Sequence, residues 1–461
     1  MEKHNLTYKT ESHLFHKHLS KFSCLMIGIG GLIGGGIFSV IGAISNYAGP
    51  YAYLSYLITG CIGLFNVYSY SKLTSKWSDP GGEYSCVSSV FCDTPLAFLG
   101  PFVGILLYFG YISTMALYAY TFSVYFIVMF NIKYDFLIIS VFITIIVTFF
   151  TLVNLKGVKE SSLIQNIFVS LKVLILILFV ILGLVYSLKT PFTFLSNVGF
   201  NSQIFSNFPG IVIGSSSIIV SYVGFQLIAY HSYEMEDVKG GLKTMKWSLI
   251  ISMIVYIAVA FTAVAVLGFS GLIGDNIHDA EIAIAHAASS FMGPLGTFVI
   301  IIGALLSTSS ALNATMLGSS RLAYMISFNK FFPKFFSKIS KNKVPYNSII
   351  FTSVFSILIS IFTGGALAIA GIAGLVFAQV FFIINYTAYK SRKVIQSKSV
   401  INLLGMIFMA LLFIILIINY VIQLETEIFS LIAFVCIEVV TLLFVLNIKR
   451  RKENLFQCRN E

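Results

Sequence analysis

Residues 28 to 38 read Gly28-Ile29-Gly30-Gly31-Leu32-Ile33-Gly34-Gly35-Gly36-Ile37-Phe38, a glycine-rich run without a single charge. A glycine costs about 1 kcal/mol against alanine in a helix interior, so the Gly34 to Gly36 triplet predicts that a helix unwinds there. Unwinding frees amide N–H groups and starts a new half-helix, whose N-terminus suits a carboxylate. The missing Cβ atoms let a ligand reach the backbone. The competing reading is close helix packing, because Gly30 and Gly34 stand at small-xxx-small spacing. No strand precedes the run and no Gly-Lys-Ser/Thr follows it, which sets a phosphate loop aside.

Around this stretch the composition is that of a chain dissolved in lipid. Of 461 residues 57% are hydrophobic and only 10% charged, with a mean hydropathy of +0.92, too apolar for a soluble globular protein. In hydrocarbon the backbone must satisfy itself, so the choice is helix bundle or closed barrel, and long unalternated apolar runs select helices. Twelve such runs cross a ~30 Å core: 22 to 46, 52 to 71, 96 to 129, 135 to 153, 163 to 187, 210 to 232, 247 to 270, 294 to 327, 347 to 363, 365 to 388, 400 to 421 and 427 to 448. The fold class is therefore an all-α membrane protein of about twelve transmembrane helices.

Charge sets the orientation. With the N-terminus cytoplasmic, all Lys and Arg but Lys133, Lys189 and the intramembrane Lys172 fall on the cytoplasmic side, as the positive-inside rule requires. Both termini are expected in the cytoplasm of a multi-pass cell-membrane protein. The net charge of +11 reads as those basic loops and not as nucleic-acid binding. No signal peptide is visible in the first twenty residues. Six scattered cysteines, Cys24, Cys61, Cys86, Cys92, Cys436 and Cys458, indicate neither a zinc site nor a disulfide framework. No metal or cofactor is expected.

Five spans starting from the cytoplasm precede five starting outside, so an inverted repeat is expected. Its units are 22–187 and 188–388, after a cytoplasmic segment 1–21 and before two peripheral helices and a tail, 389–461. The third span of each half is long, and the first of each half is interrupted. Span 6 carries Val220-Ser221-Tyr222-Val223-Gly224-Phe225-Gln226 at its centre, and paired interruptions mark the substrate site of a transporter. Its freed carbonyls would face a substrate ammonium.

The distributed motifs resemble the amino acid-polyamine-organocation (APC) superfamily. Ile33 to Phe38 is similar to its I-G-[S/A]-G-I-F, and Pro80-Gly81-Gly82-Glu83-Tyr84 to P-x-G-G-x-Y. Asn154 to Lys159, Tyr222 to Glu234, and Ser307 to Asn313 with Arg321, Pro333 and Val344-Pro345 follow further family stretches, so the likeness covers 22 to 346. The sequence departs at Gln226 and Tyr233, where the family has Glu, and at Val238, where it has Pro. The resemblance implies a five-plus-five fold with broken helices 1 and 6. It implies that Gly34, Gly35 and Gly36, beside Ile33, hold a substrate carboxylate, and that Val220, Ser221 and Val223 offer carbonyls to its amine. Tyr222 would line the site.

Lys172 stands about ten residues into span 5, ~15 Å deep, where a charge costs roughly 2.5 to 3.5 kcal/mol. The resemblance implies that it occupies a coupling-cation position, bonded to Gly28 and Ile29 carbonyls and to the Thr308 and Ser309 hydroxyls. Losing and regaining its proton in a cycle would couple transport to protons; the alternative is a permanently charged strut. Glu438, mid-span in helix 12, reads as a neutral carboxyl or an oligomer contact, and His231 and Glu234 as loop or inner-gate residues. The expectation is a proton-coupled symporter of a neutral or aromatic amino acid, monomer or homodimer, with an exchanger or a cationic amino acid or polyamine transporter as alternatives. An enzyme would need a catalytic constellation, and the only buried ionisable groups expected, Lys172 and Glu438, lie far apart.

Overall fold

The computed structural model describes residues 19–451 except 79, 157, 200–203, 275–276, 341–343 and 364, and side chains for all of these but 158–164, 233, 277–278, 424–427 and 451. The segment 1–18, Gly157, the Lys159 and Tyr233 side chains, and the tail with Cys458 lie outside the described residues. Among the described residues nine helices are long and apolar enough to cross a bilayer. The first of them, Lys21–Lys76, holds two passages. Span 1 is Lys21–Leu32 followed by Gly35–Ala48, and span 2 is Ala52–Lys76 after a tight turn at Gly49–Tyr51. Spans 3 to 5 are Leu99–Met129, Phe136–Lys156 and Val158–Leu188. Span 6 is Phe208–Ser217 continued by tighter 3₁₀ segments at Ile219–Tyr222 and Phe225–Glu234. Spans 7 to 12 are Val238–Ile273, Ala283–Phe328, Tyr346–Phe362, Ala366–Lys390, Ser399–Ile422 and Leu424–Arg451. Each apolar run thus coincides with a helical passage.

Spans 7 and 8 begin well before their apolar runs. Span 8 starts at Ala283, and the Gly293-Pro294 pair that reads as its beginning is an internal kink, with Gly293 at φ +61° and Pro294 opening the next turn. Span 7 starts at Val238, where Asp237 accepts the Gly240 N–H as an N-cap, and its polar first turns escape a hydropathy reading.

Burial sorts the spans into a centre and a lipid face. The most apolar window of span 3 is 94% buried, against 28% for spans 4, 5 and 11 and 22% for span 12. Spans 3 and 8 pack along each other, span 5 on span 8, and span 7 on spans 1 and 2, while spans 11 and 12 lean on span 10. Span 5 turns one stripe inward, Val169, Lys172, Leu176 and Phe179, all buried, at the i, i+3, i+4 spacing of an amphipathic helix. Lys172 therefore sits in the apolar stripe and not on the lipid face. At the lysine-rich end Leu19 pairs with the close of span 6, its N–H donating to Glu234 O at 2.9 Å and its carbonyl accepting Glu236 N–H at 3.1 Å. Main chain thus joins the two broken spans.

Candidate functional site

The break in span 1 is shorter than the glycine triplet predicts. Helix runs to Leu32, only Ile33 and Gly34 are non-helical, and Gly35 opens the second half. A helix end leaves its last carbonyls without intrahelical donors, and buried carbonyls need partners. Here side chains supply them. The ammonium of Lys172 donates to Gly30 O at 3.1 Å and to Ile33 O. Tyr118 of span 3 donates to Gly31 O at 3.1 Å, Tyr256 of span 7 reaches Leu32 O, and Ser307 of span 8 donates to Ile33 O at 2.8 Å. Gly30 O lacks its usual helical donor because the Gly34 N–H turns to Leu32 O at 2.9 Å.

These contacts correct the expected partners of Lys172. Gly28 and Ile29 do not meet the ammonium, since Ile29 O takes the Ile33 N–H and the accessible carbonyls start one residue later. Thr308 turns back onto its own helix at Ala304 O, and Ser309 makes no bond to Lys172. The hydroxyl that receives Nζ is Ser310, at 2.8 Å. Ser307 and Ser310 lie three apart on the face turned to span 1. Lys172 is fully buried, and among the described residues no carboxylate pairs with it.

Of the three glycine amides assigned to a carboxylate, Gly34 is engaged, whereas the Gly35 and Gly36 amides lie in the first turn of a half-helix, where no intrahelical acceptor exists. In span 6 the Val220 carbonyl accepts the Val223 N–H at 3.1 Å and the Ser221 carbonyl, 2.9 Å from the Tyr256 hydroxyl, shares its one proton with Leu32 O, leaving each one lone pair. Tyr222 donates to Tyr56 O at 2.7 Å, so its hydroxyl is tied to span 2. The two breaks touch. A Cβ on Gly36 would lie 2.9 Å from Ser221 Cβ, and one on Gly224 would lie 2.5 Å from the Leu32 nitrogen. The close-packing reading of the glycines therefore holds alongside the unwinding. Gln226 accepts the Gly224 N–H at 3.0 Å, an acceptor role that a glutamine fills without charge.

Several buried ionisable groups escape the sequence reading. Glu83, on the connecting helix Gly82–Phe91, is wholly buried and accepts Tyr230 at 2.6 Å and Tyr70 at 3.1 Å. Burial pushes its pKa up to about 7 against the lowering effect of those hydroxyls. Arg321, at the cytoplasmic end of span 8 by the positive-inside reading, is buried in a pair with Glu234, Nη1 to Oε2 2.6 Å, with His231 Nδ1 2.9 Å from the same carboxylate. This pair bolts the end of span 8 to the end of span 6. Glu438 is half-buried in span 12. Cys24, Cys61 and Cys436 are thiols, and Cys92 is disulfide-bonded.

Two facing broken helices, closed by side chains of the surrounding spans, are the construction of a membrane transporter. The amino acid permease family matches residues 19–450. An uncharacterized protein of Methanocaldococcus jannaschii is 30% identical over 87% of this chain and 90% of its own. The methylthioribose transporter of Bacillus subtilis is 25% identical over 76% of each chain. The chloroplastic cationic amino acid transporter 7 of Arabidopsis thaliana is 26% identical over 74% of this chain and 60% of its own. The chain belongs to the amino acid permease family. Amino acid transport is the activity that family and relatives support.

Proposed function

We propose that the protein is a proton-coupled symporter of a neutral or aromatic amino acid, working by alternating access in the cell membrane with both termini in the cytoplasm. The observation that carries the reading is the Lys172 ammonium, seated on the Gly30 and Ile33 carbonyls and Ser310 with no carboxylate partner among the described residues. A site built of carbonyl and hydroxyl oxygens is a cation's site, and a lysine placed there leaves no room for sodium. It can vacate the charge by giving up its proton. Protonated Lys172 braces the broken end of span 1 against spans 5 and 8, and release of the proton frees that end to move.

The Gly35 and Gly36 amides, beside Ile33 and Gly34, receive the substrate carboxylate, supported by the half-helix dipole. Val223 O and the open lone pairs of Val220 and Ser221 receive the amine, once the contact between the breaks opens. The ring of Tyr222 closes one side. Side chains beside the breaks are Tyr, Ser, Thr and Gln, and the nearby acids Glu83 and Glu234 are already engaged by tyrosine hydroxyls and by Arg321. That favours a neutral side chain over a cationic one. The inverted-repeat units are 22–187 and 188–388.

The test is uptake of a panel of radiolabelled amino acids into proteoliposomes with and without an inward proton gradient, with counterflow alongside. Gradient-driven accumulation that Lys172→Ala abolishes while binding survives is expected. Counterflow with no response to the gradient would make the protein an exchanger with Lys172 as a fixed cation on its three acceptors.

A further inference from the structure

Away from the breaks, an open cleft of about 540 Å³ lies between the end of span 2, the start of span 7 and the loop after span 10, within the size range of small-molecule sites. Lys72 and Lys76 line it from span 2, Lys243 and Lys246 from span 7, and Trp247 stands at its edge. Lysines four apart and three apart each share one helix face, so two basic faces turn toward one another. Among the described residues no Asp or Glu lines the cleft, and none of the four lysines is in an ion pair. Like charges so placed repel, and a bound anion removes the repulsion.

Trp247 identifies the kind of anion. It is 57% exposed at the end of a spanning helix, where indole rings settle at the headgroup level, and Leu242, Val394 and Ile395 continue the lining as an apolar wall. A soluble anion has no use for that wall, whereas a lipid brings both a phosphate and an acyl chain. The geometry points to a binding site for the phosphate-bearing headgroup of an anionic lipid from the lysine-rich leaflet, with the two lysine pairs on the phosphate and Trp247 against the upper acyl chain. The site bridges spans 2 and 7 to the loop between spans 10 and 11, so an occupied cleft ties those elements together at one end.

Trp77 and Trp247 are the two tryptophans of the chain, so Trp77→Phe leaves Trp247 as sole reporter. The variant is reconstituted in phosphatidylcholine vesicles holding a minor fraction of acyl-brominated phosphatidylglycerol, or the same fraction of brominated phosphatidylcholine. Quenching by the brominated phosphatidylglycerol far above its bulk fraction is expected. Each cleft Lys→Gln should lower that preference roughly fivefold, and salt should weaken it, while Lys334→Gln with Lys338→Gln, outside the cleft, leaves it unchanged. Equal quenching by the two lipids, or a preference that survives loss of all four lysines, overturns the proposal. Relief of quenching by millimolar inorganic phosphate would show a site for the free anion and overturn the lipid assignment. If the quadruple variant does not reconstitute, Lys72→Gln/Lys76→Gln and Lys243→Gln/Lys246→Gln are read separately.

Discussion

Replacing Lys172 by methionine keeps the length and apolar bulk of its stem and deletes only the ammonium. Three acceptors lose a donor, but not equally. Ile33 O keeps the Ser307 hydroxyl at 2.8 Å, and Ser310 still donates to Ser307 O at 2.9 Å. Only Gly30 O is orphaned, a loss of about 1–3 kcal/mol for a buried carbonyl. Against this, a charge near the middle of a spanning helix, which costs roughly 2.5–3.5 kcal/mol, is gone. The two terms cancel to within about 3 kcal/mol, with the balance on the side of the variant. Lys172→Met is therefore expected to melt in detergent within a few degrees of the native protein, and to bind substrate, while losing accumulation driven by a proton gradient. A brace that merely held spans 1, 5 and 8 together would behave in the opposite way. A fall in melting temperature of more than about 10 °C, several kcal/mol for a chain this size, would refute the reasoning, as would accumulation that persists in the variant.

Gly224→Ala should prevent folding or lower stability by about 2–5 kcal/mol, because its Cβ would meet main-chain atoms of Gly31 and Leu32 at φ +146°. Gly293→Ala, at φ +61° with no atom within 4 Å, should lose only about 1–2 kcal/mol of backbone strain; equal melting losses would remove the role of close approach. Arg321→Met strands Glu234 inside the protein and should cost about 3–5 kcal/mol, most of it recovered by adding Glu234→Leu, as thermal melts of the single and double variants would show. Glu83 binds its proton more tightly in the folded chain, with a pKa up at about 7 against the ordinary 4.5, so native stability should fall as pH rises from about 4.5 to 7 and level off above. The drop is about 3 kcal/mol, and Glu83→Gln should flatten it; parallel melting curves for variant and wild type across that range would refute this.

Much of the fold was legible because a membrane span declares itself by length alone. The glycine run located the break in span 1, and a single lysine in an apolar helix drew attention to its position. The details that failed are those set by rotation and by a residue or two of register. Whether Thr308, Ser309 or Ser310 faces span 1 turns on 100° steps around span 8, and which carbonyls are free depends on where the helix stops, at Leu32 and not at Gly34. Tyr118 and Tyr256 close the break, yet nothing separates them in sequence from the other tyrosines among the chain's 24, which look like interfacial bulk. Glu83 stood inside a recognised motif but outside any apolar run, so its burial was invisible. Hydropathy finds charges that are misplaced in helices and is blind to those that loops carry inward.

The closed row of carbonyls from Gly30 to Ile33 has an electrical consequence. Unpaired carbonyls in the middle of a bilayer are perches for water, and a file of waters conducts protons. With Nζ, two tyrosine hydroxyls and a serine hydroxyl standing on that row, each carbonyl of the unwound turn has a protein donor in place of water. The helix can be interrupted at the depth where insulation is most needed, and the membrane potential is not short-circuited through the gap.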